Sequence, residues 1–325
     1  MSATVVELRD VQKSFGPKHV LKGVNIAIAQ GETFTILGGS GSGKSVTIKL
    51  MIGLLRADSG SVWVEGRDVS ALNERDWIEL RGRFGMVFQG AALFDSLNVL
   101  ENVAYPLREH SQLSEDDIRK RVAEKLALVG LEGIETKLPA ELSGGMRKRV
   151  AVARAVVMDP QIILYDEPTT GLDPANSRLI GELIASLQER LGVTSVIVTH
   201  DLPLCFAVSD RVGLLDEGQM AVTETPVELR ADLYGAPAGD LLTAVRELPI
   251  DVGCVMVIAH NPGVEELAIQ LAGHGDDDLH RRMWAKYPTG ALATFDVTSA
   301  WTELDTHTAT LTDFVTPREL EQPDG

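Results

Sequence analysis

The sequence predicts an α/β fold around a mainly parallel sheet, and three observations predict it. Short apolar runs alternate with amphipathic stretches through the first two thirds of the chain. One run, residues 33–37, leads into a glycine-rich loop and then a helical pattern. Another, residues 161–165, stops at the acidic pair Asp166-Glu167. Strands alternating with helices pair in parallel and are covered on both faces. In order, residues 5–8, 24–29 and 61–65 have the apolar, β-branched character of short strands. Residues 33–37 are a buried strand, and residues 44 to about 55 a helix. Residues 84–88 form another apolar strand, and residues 98–130 have a helical pattern with charges on one face. Residues 143–158 are a helix, 161–165 a buried strand, 174–191 a helix and 194–199 a strand. No period of 20–50 residues marks a repeat architecture.

Composition bounds the function. The chain has 325 residues, 44% hydrophobic and 24% charged, with a mean hydropathy of +0.05. These are globular values, which exclude disorder, collagen and coiled coil for the bulk of the chain. No apolar run approaches the roughly 18–20 residues of a spanning helix. The start, MSATVVELRD, has neither the basic nor the apolar region of a signal peptide. A soluble, cytoplasmic protein is expected, peripheral to the inner membrane only through a partner. Cys205 and Cys254 make neither a disulfide framework nor a metal spacing. The net charge of −17 is uneven: residues 1–231 hold 25 basic and 31 acidic residues, and residues 232–325 hold 5 and 16. This shift, with a linker-like stretch at residues 232–239, predicts domains at 1–231 and 232–325. The acidic balance argues against nucleic acid, which needs a basic face.

Gly38-Gly39-Ser40-Gly41-Ser42-Gly43-Lys44-Ser45 fits G-x-x-x-x-G-K-[ST], after an apolar strand and before a helix. Glycines let backbone N–H groups close around phosphate oxygens. The helix N-terminus adds partial positive charge. In such a loop Lys44 reaches the β/γ-phosphates of ATP and the Ser45 hydroxyl meets Mg²⁺. A chance Gly/Ser turn would not sit in that context. Asp166 is delivered by its strand to the same metal, and Glu167 follows where it can orient or deprotonate a water. Alone, a D-E pair at a strand end is as often a solvated turn; the phosphate loop upstream decides between the two.

Leu142-Ser143-Gly144-Gly145-Met146 adds a third motif. Together these resemble the ATPases of ABC transporters over about residues 4–231. Gln89 in MVFQ matches the family's Q-loop, residues 170–174 (TGLDP) its D-loop, and His200 in VTHD its switch histidine. The resemblance implies a P-loop core with an antiparallel β subdomain and a helical subdomain. It implies a head-to-tail homodimer with two ATP sandwiched between the subunits. Phe15 would stack on adenine; Gly38 to Ser45 and Thr47 would bind the nucleotide. Ser45, Gln89 and Asp166 would hold Mg²⁺, with Lys44, Gln89, Glu167 and His200 catalytic. Ser143, Gly144 and Gly145 would reach the nucleotide of the other subunit. For His200 the bland alternative is a strand-end histidine, and for Phe15 simple packing.

Met146 ends the signature where most of the family has Gln. Residues 89–94 (QGAALF) and 102–110 (NVAYPLREH) resemble the MlaF subfamily, the ATPases of MCE-type phospholipid transport. That resemblance implies an MlaE-like permease, a periplasmic MCE-domain protein and a STAS-domain partner. Related importers of the Mkl or toluene-tolerance type share the pattern, so another cargo stays open. So does a non-transport ABC ATPase, though those usually carry two cassettes or long inserts. Gly39 replaces the loop's frequent Pro.

From about residue 232 the chain resembles the C-terminal half of a SixA-type histidine phosphatase. The matching stretches are residues 241–242, 255–263 (VMVIAHNPG), 288–291 and 314–317. Residues 255–258 read as a buried strand that presents His260. The family's nucleophile lies in R-H-[GA], and no such motif occurs here. Without a nucleophile there is no phosphoenzyme, so an incomplete, non-catalytic segment is expected, or a module binding a phosphoprotein without turnover. Missing strands would leave an unpaired edge, and this segment should be less stable than the ATPase.

Overall fold

A computed structural model describes residues 3–222, 230, 233, 235–249, 252, 255–288 and 291–316. Asp232 at the expected domain boundary, Cys254, Thr289, Gly290 and Pro317 lie outside the described residues. The chain divides into two compact units, Met1–Glu228 and Leu229–Gly325.

The first unit holds β1 (Thr4–Phe15), β2 (Lys18–Ala29), β3 (Thr33–Leu37), α1 (Lys44–Met51), β4 (Ser59–Val64), β5 (Arg67–Asp68), α2 (Glu74–Arg81) and β6 (Phe84–Val87). It continues through α3 (Val99–His110), α4 (Glu115–Leu128), α5 (Gly144–Val156), β7 (Ile162–Asp166) and α6 (Pro174–Leu191). It ends with β8 (Thr194–Thr199), α7 (Leu202–Val208), β9 (Arg211–Asp216) and β10 (Gln219–Val222). The early strands do not join the parallel sheet. They form a separate antiparallel sheet of order β2-β1-β4-β5. The main sheet has the order β10-β9-β3-β8-β7-β6 and is parallel except at β10.

Why β3, β7 and β8 sit in the middle is written in their composition. β7 and β8 are buried at every position, as strands covered on both faces must be. The two-residue period of β7 sorts its side chains: Ile163 and Tyr165 face one core with Val103, Leu126, Val150 and Ile184. Ile162 and Leu164 face the other, with Leu8, Phe34, Ile48 and Met51. In register, Leu37 lies opposite Thr199, and Asp166 opposite Val198. The C-terminal ends of three strands therefore lie side by side, where open α/β sheets bind ligands.

Several boundaries differ from the sequence reading. The first strand runs on through Arg9 and Asp10, because register shifts and Asp10 at φ 48° absorb the polar residues. α1 stops at Met51 rather than near residue 55: Gly53 takes φ +65°, and the Trp77 ring fills the place of its missing Cβ. The helical stretch at 98–130 is two helices. Asn98 and Glu101 form a capping box on α3, and Ser114 caps α4.

The second unit contains α8 (Ala238–Arg246), α9 (Gly263–Leu271), β11 (Ala272–Gly275), α10 (Asp277–Ala285), β12 (Leu292–Asp296) and β13 (Ala309–Val315). Its sheet has the order β11-β13-β12, parallel at the first pair and antiparallel at the second. One core gathers Leu241, Leu242, Val245, Leu267 and Leu304; another gathers Ala268, Met283, Leu311 and Phe314. Residues 255–258, read as a buried strand, join no ladder among the described residues. Their side chains alternate, with Val255 and Val257 half-buried and Met256 and Ile258 exposed. The strand period is present, without a pairing neighbour among the described residues. No described helix is long and apolar enough to cross a membrane.

Candidate active site

The loop between β3 and α1 is shaped by glycine at two places. A Cβ on Gly38 would stand 2.3 Å from the Leu215 carbonyl oxygen. Gly43, the N-cap of α1, has φ 110° and supplies no capping side chain, and the first turn holds no acid. The N–H groups of that turn are left to an outside acceptor. Ser42 Oγ is buried without a hydrogen-bond partner, which is rare for a hydroxyl in a folded protein. An uncapped helix start, a tight glycine cradle and an orphaned hydroxyl fit a phosphate group. Gly39 is open, with nothing within 4 Å of an added Cβ, so the loop does not need a particular residue there.

Lys44 bridges the loop to the acids. Its Nζ donates to the carbonyls of Gly38 at 2.7 Å and Gly39 at 2.9 Å, and lies 3.4 Å from Glu167 Oε1. Ser45 Oγ donates to Asp166 Oδ1 at 2.7 Å. Glu167 Oε2 meets His200 Nδ1 at 2.9 Å and accepts from Thr170 Oγ1 at 3.2 Å. The Glu167 backbone is at φ 49°, fixed by its N–H to Val198 O at 2.9 Å. Lys44, Asp166 and Glu167 are all buried, while His200 is exposed. The loop lysine, the loop serine, both acids and the histidine thus form one connected cluster. Ser45 and Asp166 side by side are hard oxygen donors of the kind Mg²⁺ takes.

Other sequence-predicted residues are placed as follows. Gln89 lies just past β6, the neighbour of β7, with its side chain exposed. Phe15 closes β1 at the hairpin to β2, half exposed, with Lys13 Nζ 5.5 Å from its ring centre. Ser40 and Gly41 are exposed on the loop. Thr47 is fully buried and its hydroxyl donates within the helix to Gly43 O at 3.1 Å. Ser143 caps α5 by accepting from Met146 N. Gly144 packs on Leu172, and Gly145 lies against Asn176, whose Oδ1 would be 2.4 Å from an added Cβ. The signature glycines therefore sit on the turn that starts α6, not on the phosphate loop of their own chain. His260, in the second unit, is exposed.

Lys148 was not legible as a site residue. It is 6% exposed, and its Nζ donates to the carbonyl oxygens of Gln89 and Glu167. Burial pushes its ammonium below the usual lysine range, against the opposing pull of Asp166 and Glu167. The available signal was periodic: Gly145, Lys148, Ala151 and Val152 fall on the buried face of α5.

The segments 89–94 and 102–110 meet at one groove of about 630 Å³. Ile78, Met86, Phe88, Phe94, Tyr105 and Met158 line it. Phe94 and Tyr105 have ring centres 4.9 Å apart at 47°, and both are partly exposed. Arg154 holds the rim through the Ala91 and Ala92 carbonyls at 2.8 and 2.7 Å. Both alanines have positive φ, 64° and 48°.

A parallel sheet with a phosphate cradle at β3 and acids at β7 defines a P-loop nucleotide-binding cassette. Residues 21–170 match the family described as ABC transporter. Over 210 residues the chain is 46% identical to the probable ribonucleotide transport ATP-binding protein mkl of Mycobacterium tuberculosis, covering 65% of this chain and 58% of that protein. Over 229 residues it is 37% identical to the intermembrane phospholipid transport system ATP-binding protein MlaF of Haemophilus influenzae, covering 70% of this chain and 87% of that protein. A dimeric post-hydrolysis structure of the ATP-binding cassette MJ0796 with ADP and Pi is similar at 34% identity and a TM-score of 0.64, covering 69% of this chain and all of that one. The chain belongs to the ABC transporter ATP-binding proteins.

Proposed function

We propose that the chain is the ATP-hydrolysing subunit of an ABC transporter, with Glu167 activating the attacking water. The cluster Lys44–Glu167–His200 beside Ser45–Asp166 carries this reading. ATP binds with its phosphates in the loop of residues 38–45, and Phe15 offers its exposed ring to the base. Lys44 leaves the Gly38 and Gly39 carbonyls for the β/γ-phosphates. Ser45, Asp166 and Gln89 would hold Mg²⁺, which when bound would neutralise phosphate charge. Glu167 orients the water and accepts its proton, while His200 fixes Glu167 and the γ-phosphate. Ser143 and Gly145 complete the site of a second copy in a head-to-tail dimer, which the dimeric MJ0796 cassette supports.

The proposed cargo is phospholipid, moved with an MlaE-like permease and an MCE-domain protein, with the chain at the cytoplasmic face of the membrane. Support comes from the likeness to MlaF and from the groove its distinctive segments line, an apolar seat for a permease helix. The mycobacterial relative, named for ribonucleotide transport, makes another cargo the alternative. The second unit is read as a non-catalytic histidine-phosphatase-like segment; the test is whether it accepts phosphate from a phosphohistidine protein, and turnover would reject the reading.

ATP hydrolysis by the full chain, beside Glu167→Gln, tests the main proposal. The variant should bind MgATP and lose at least 100-fold in kcat, a size in keeping with removal of a general base, ~10²–10⁴. Equal rates in the two proteins would remove Glu167 from the mechanism.

A further inference from the structure

Lys148 is a cation buried where a helix core position should be apolar. Among the described residues no carboxylate comes within 4.0 Å of its Nζ. What it touches is main chain: the Gln89 carbonyl, just past β6, and the Glu167 carbonyl at 3.1 Å, just past β7. A buried ammonium is costly, and a Met or Leu would fill the same place on α5 more cheaply. The ammonium adds charge-assisted hydrogen bonds to two carbonyls at once, from one of its three donors each.

Those two carbonyls belong to residues that the ATPase reading assigns to the γ-phosphate chemistry. The helix that carries Lys148 starts at Ser143, Gly144 and Gly145, one turn earlier. So one side chain joins the signature turn, the segment after β6 and the backbone of Glu167. The same helix holds the next part of that segment through Arg154 on Ala91 and Ala92, at the rim of the apolar groove.

We propose that Lys148 is a positioning residue that ties the signature turn to Gln89 and Glu167 of the same chain, so that the two nucleotide sites of a dimer are set together. This rests on the ATPase reading above. In the dimer, the signature turn serves the nucleotide of the other copy, while Gln89 and Glu167 serve the chain's own. A displacement of α5 by an ångström breaks or drags both bonds, since a hydrogen bond weakens steeply with distance and angle. In this role Lys148 acts through the two backbones it holds.

Steady-state ATPase of the full chain tests it with Lys148→Met, Lys148→Gln and Lys148→Arg. Lys148→Met should lower kcat at least tenfold and leave KM for MgATP within threefold. Lys148→Arg, which keeps charge and several donors, should recover to within threefold of the parent. Lys148→Gln, with one short donor group, should fall between them, and it serves if Lys148→Met does not fold. Unchanged kcat in Lys148→Met, or a fall matched by loss of MgATP affinity, would overturn the proposal. Hydrogen exchange separates this from failure of the ATPase reading. In Lys148→Met the amides of residues 89–92 and 167–170 should exchange at least tenfold faster, with those of β3 unchanged. If the parent chain binds MgATP without hydrolysing it, the ATPase reading fails and the exchange result alone decides the tie; unaltered exchange sinks it.

Discussion

Gly38 and Gly39 are adjacent, chemically identical residues of the phosphate loop, yet one added methyl should separate them. At Gly38 a Cβ would meet the Leu215 carbonyl oxygen at 2.3 Å, a backbone atom that cannot swing away. At Gly39 it would meet nothing within 4 Å. Gly38→Ala should therefore displace the loop and weaken MgATP binding at least tenfold, and Gly39→Ala should change it less than threefold. Isothermal titration of both variants decides this, and equal affinities would mean the loop is not seated on β9 as described. Motif spacing already requires Gly38 and leaves Gly39 free, but the contact that explains the difference comes from residue 215 and is not visible in the spacing. The same limit hid Lys148. Asp166, Glu167 and His200 stand out because strand ends deliver them beside a known loop, whereas a lysine among arginines on a helix reads as surface. The pairing of Lys44 and His200 through Glu167 was likewise invisible, since it needs the register of β3, β7 and β8.

Between elements, the segment from Gln89 to α3 is held by buried polar groups rather than by regular structure. Asn102, fully buried, accepts from Phe94 N at 2.8 Å. It donates to the carbonyls of Phe94 at 3.1 Å, Leu97 at 2.8 Å and Asn98 at 3.1 Å. Asn102→Leu matches the volume and strands Phe94 N and Leu97 O, since the Phe94 and Asn98 carbonyls keep the backbone donors Leu97 N and Asn102 N. The cost should be about 2 kcal/mol or more, at ~1–3 kcal/mol for each buried group left unsatisfied. Urea unfolding would measure it, and a change below about 1 kcal/mol, the net worth of one ordinary hydrogen bond, would show that water replaces Asn102. The groove should lose its Phe94–Tyr105 pair in the same variant. The sequence reading placed β3, β7 and β8 well, because near-continuous burial leaves an unbroken apolar run, and it placed β6 and α6 as well. It missed α2, β5, α7, β9 and β10, where only Trp77 is buried on α2 and β5 has two residues, both exposed. Short elements with little buried surface leave little pattern to read.

Across the whole molecule, charge and core are divided unequally. Residues 232–325 hold 16 acidic and 5 basic residues. Their core consists of small clusters around three short strands, against the six-stranded buried sheet of the first unit. The sequence predicts a boundary near residue 232 from the change in charge balance, but that residues 255–258 join no ladder among the described residues did not show there. A strand's period is local, whereas its partner is not. Two consequences follow for stability. The second unit should unfold first, seen as faster amide exchange in β11 and β13 than in β3, β7 and β8. Its net negative charge also opposes compaction, and salt screens that repulsion, with a Debye length of about 10 Å at 0.1 M and 3 Å at 1 M. Raising NaCl from about 0.05 to 0.5 M, which shortens the Debye length severalfold, should then slow exchange in β11 and β13 more than in β7 and β8. The near-balanced first unit, with 25 basic and 31 acidic residues in 1–231, has less repulsion to screen. Equal salt responses would assign the lower stability to packing alone, and a faster exchange of β11 at high salt would mean that the ion pairs of the second unit, such as Arg246–Asp305 at 3.0 Å, outweigh the repulsion.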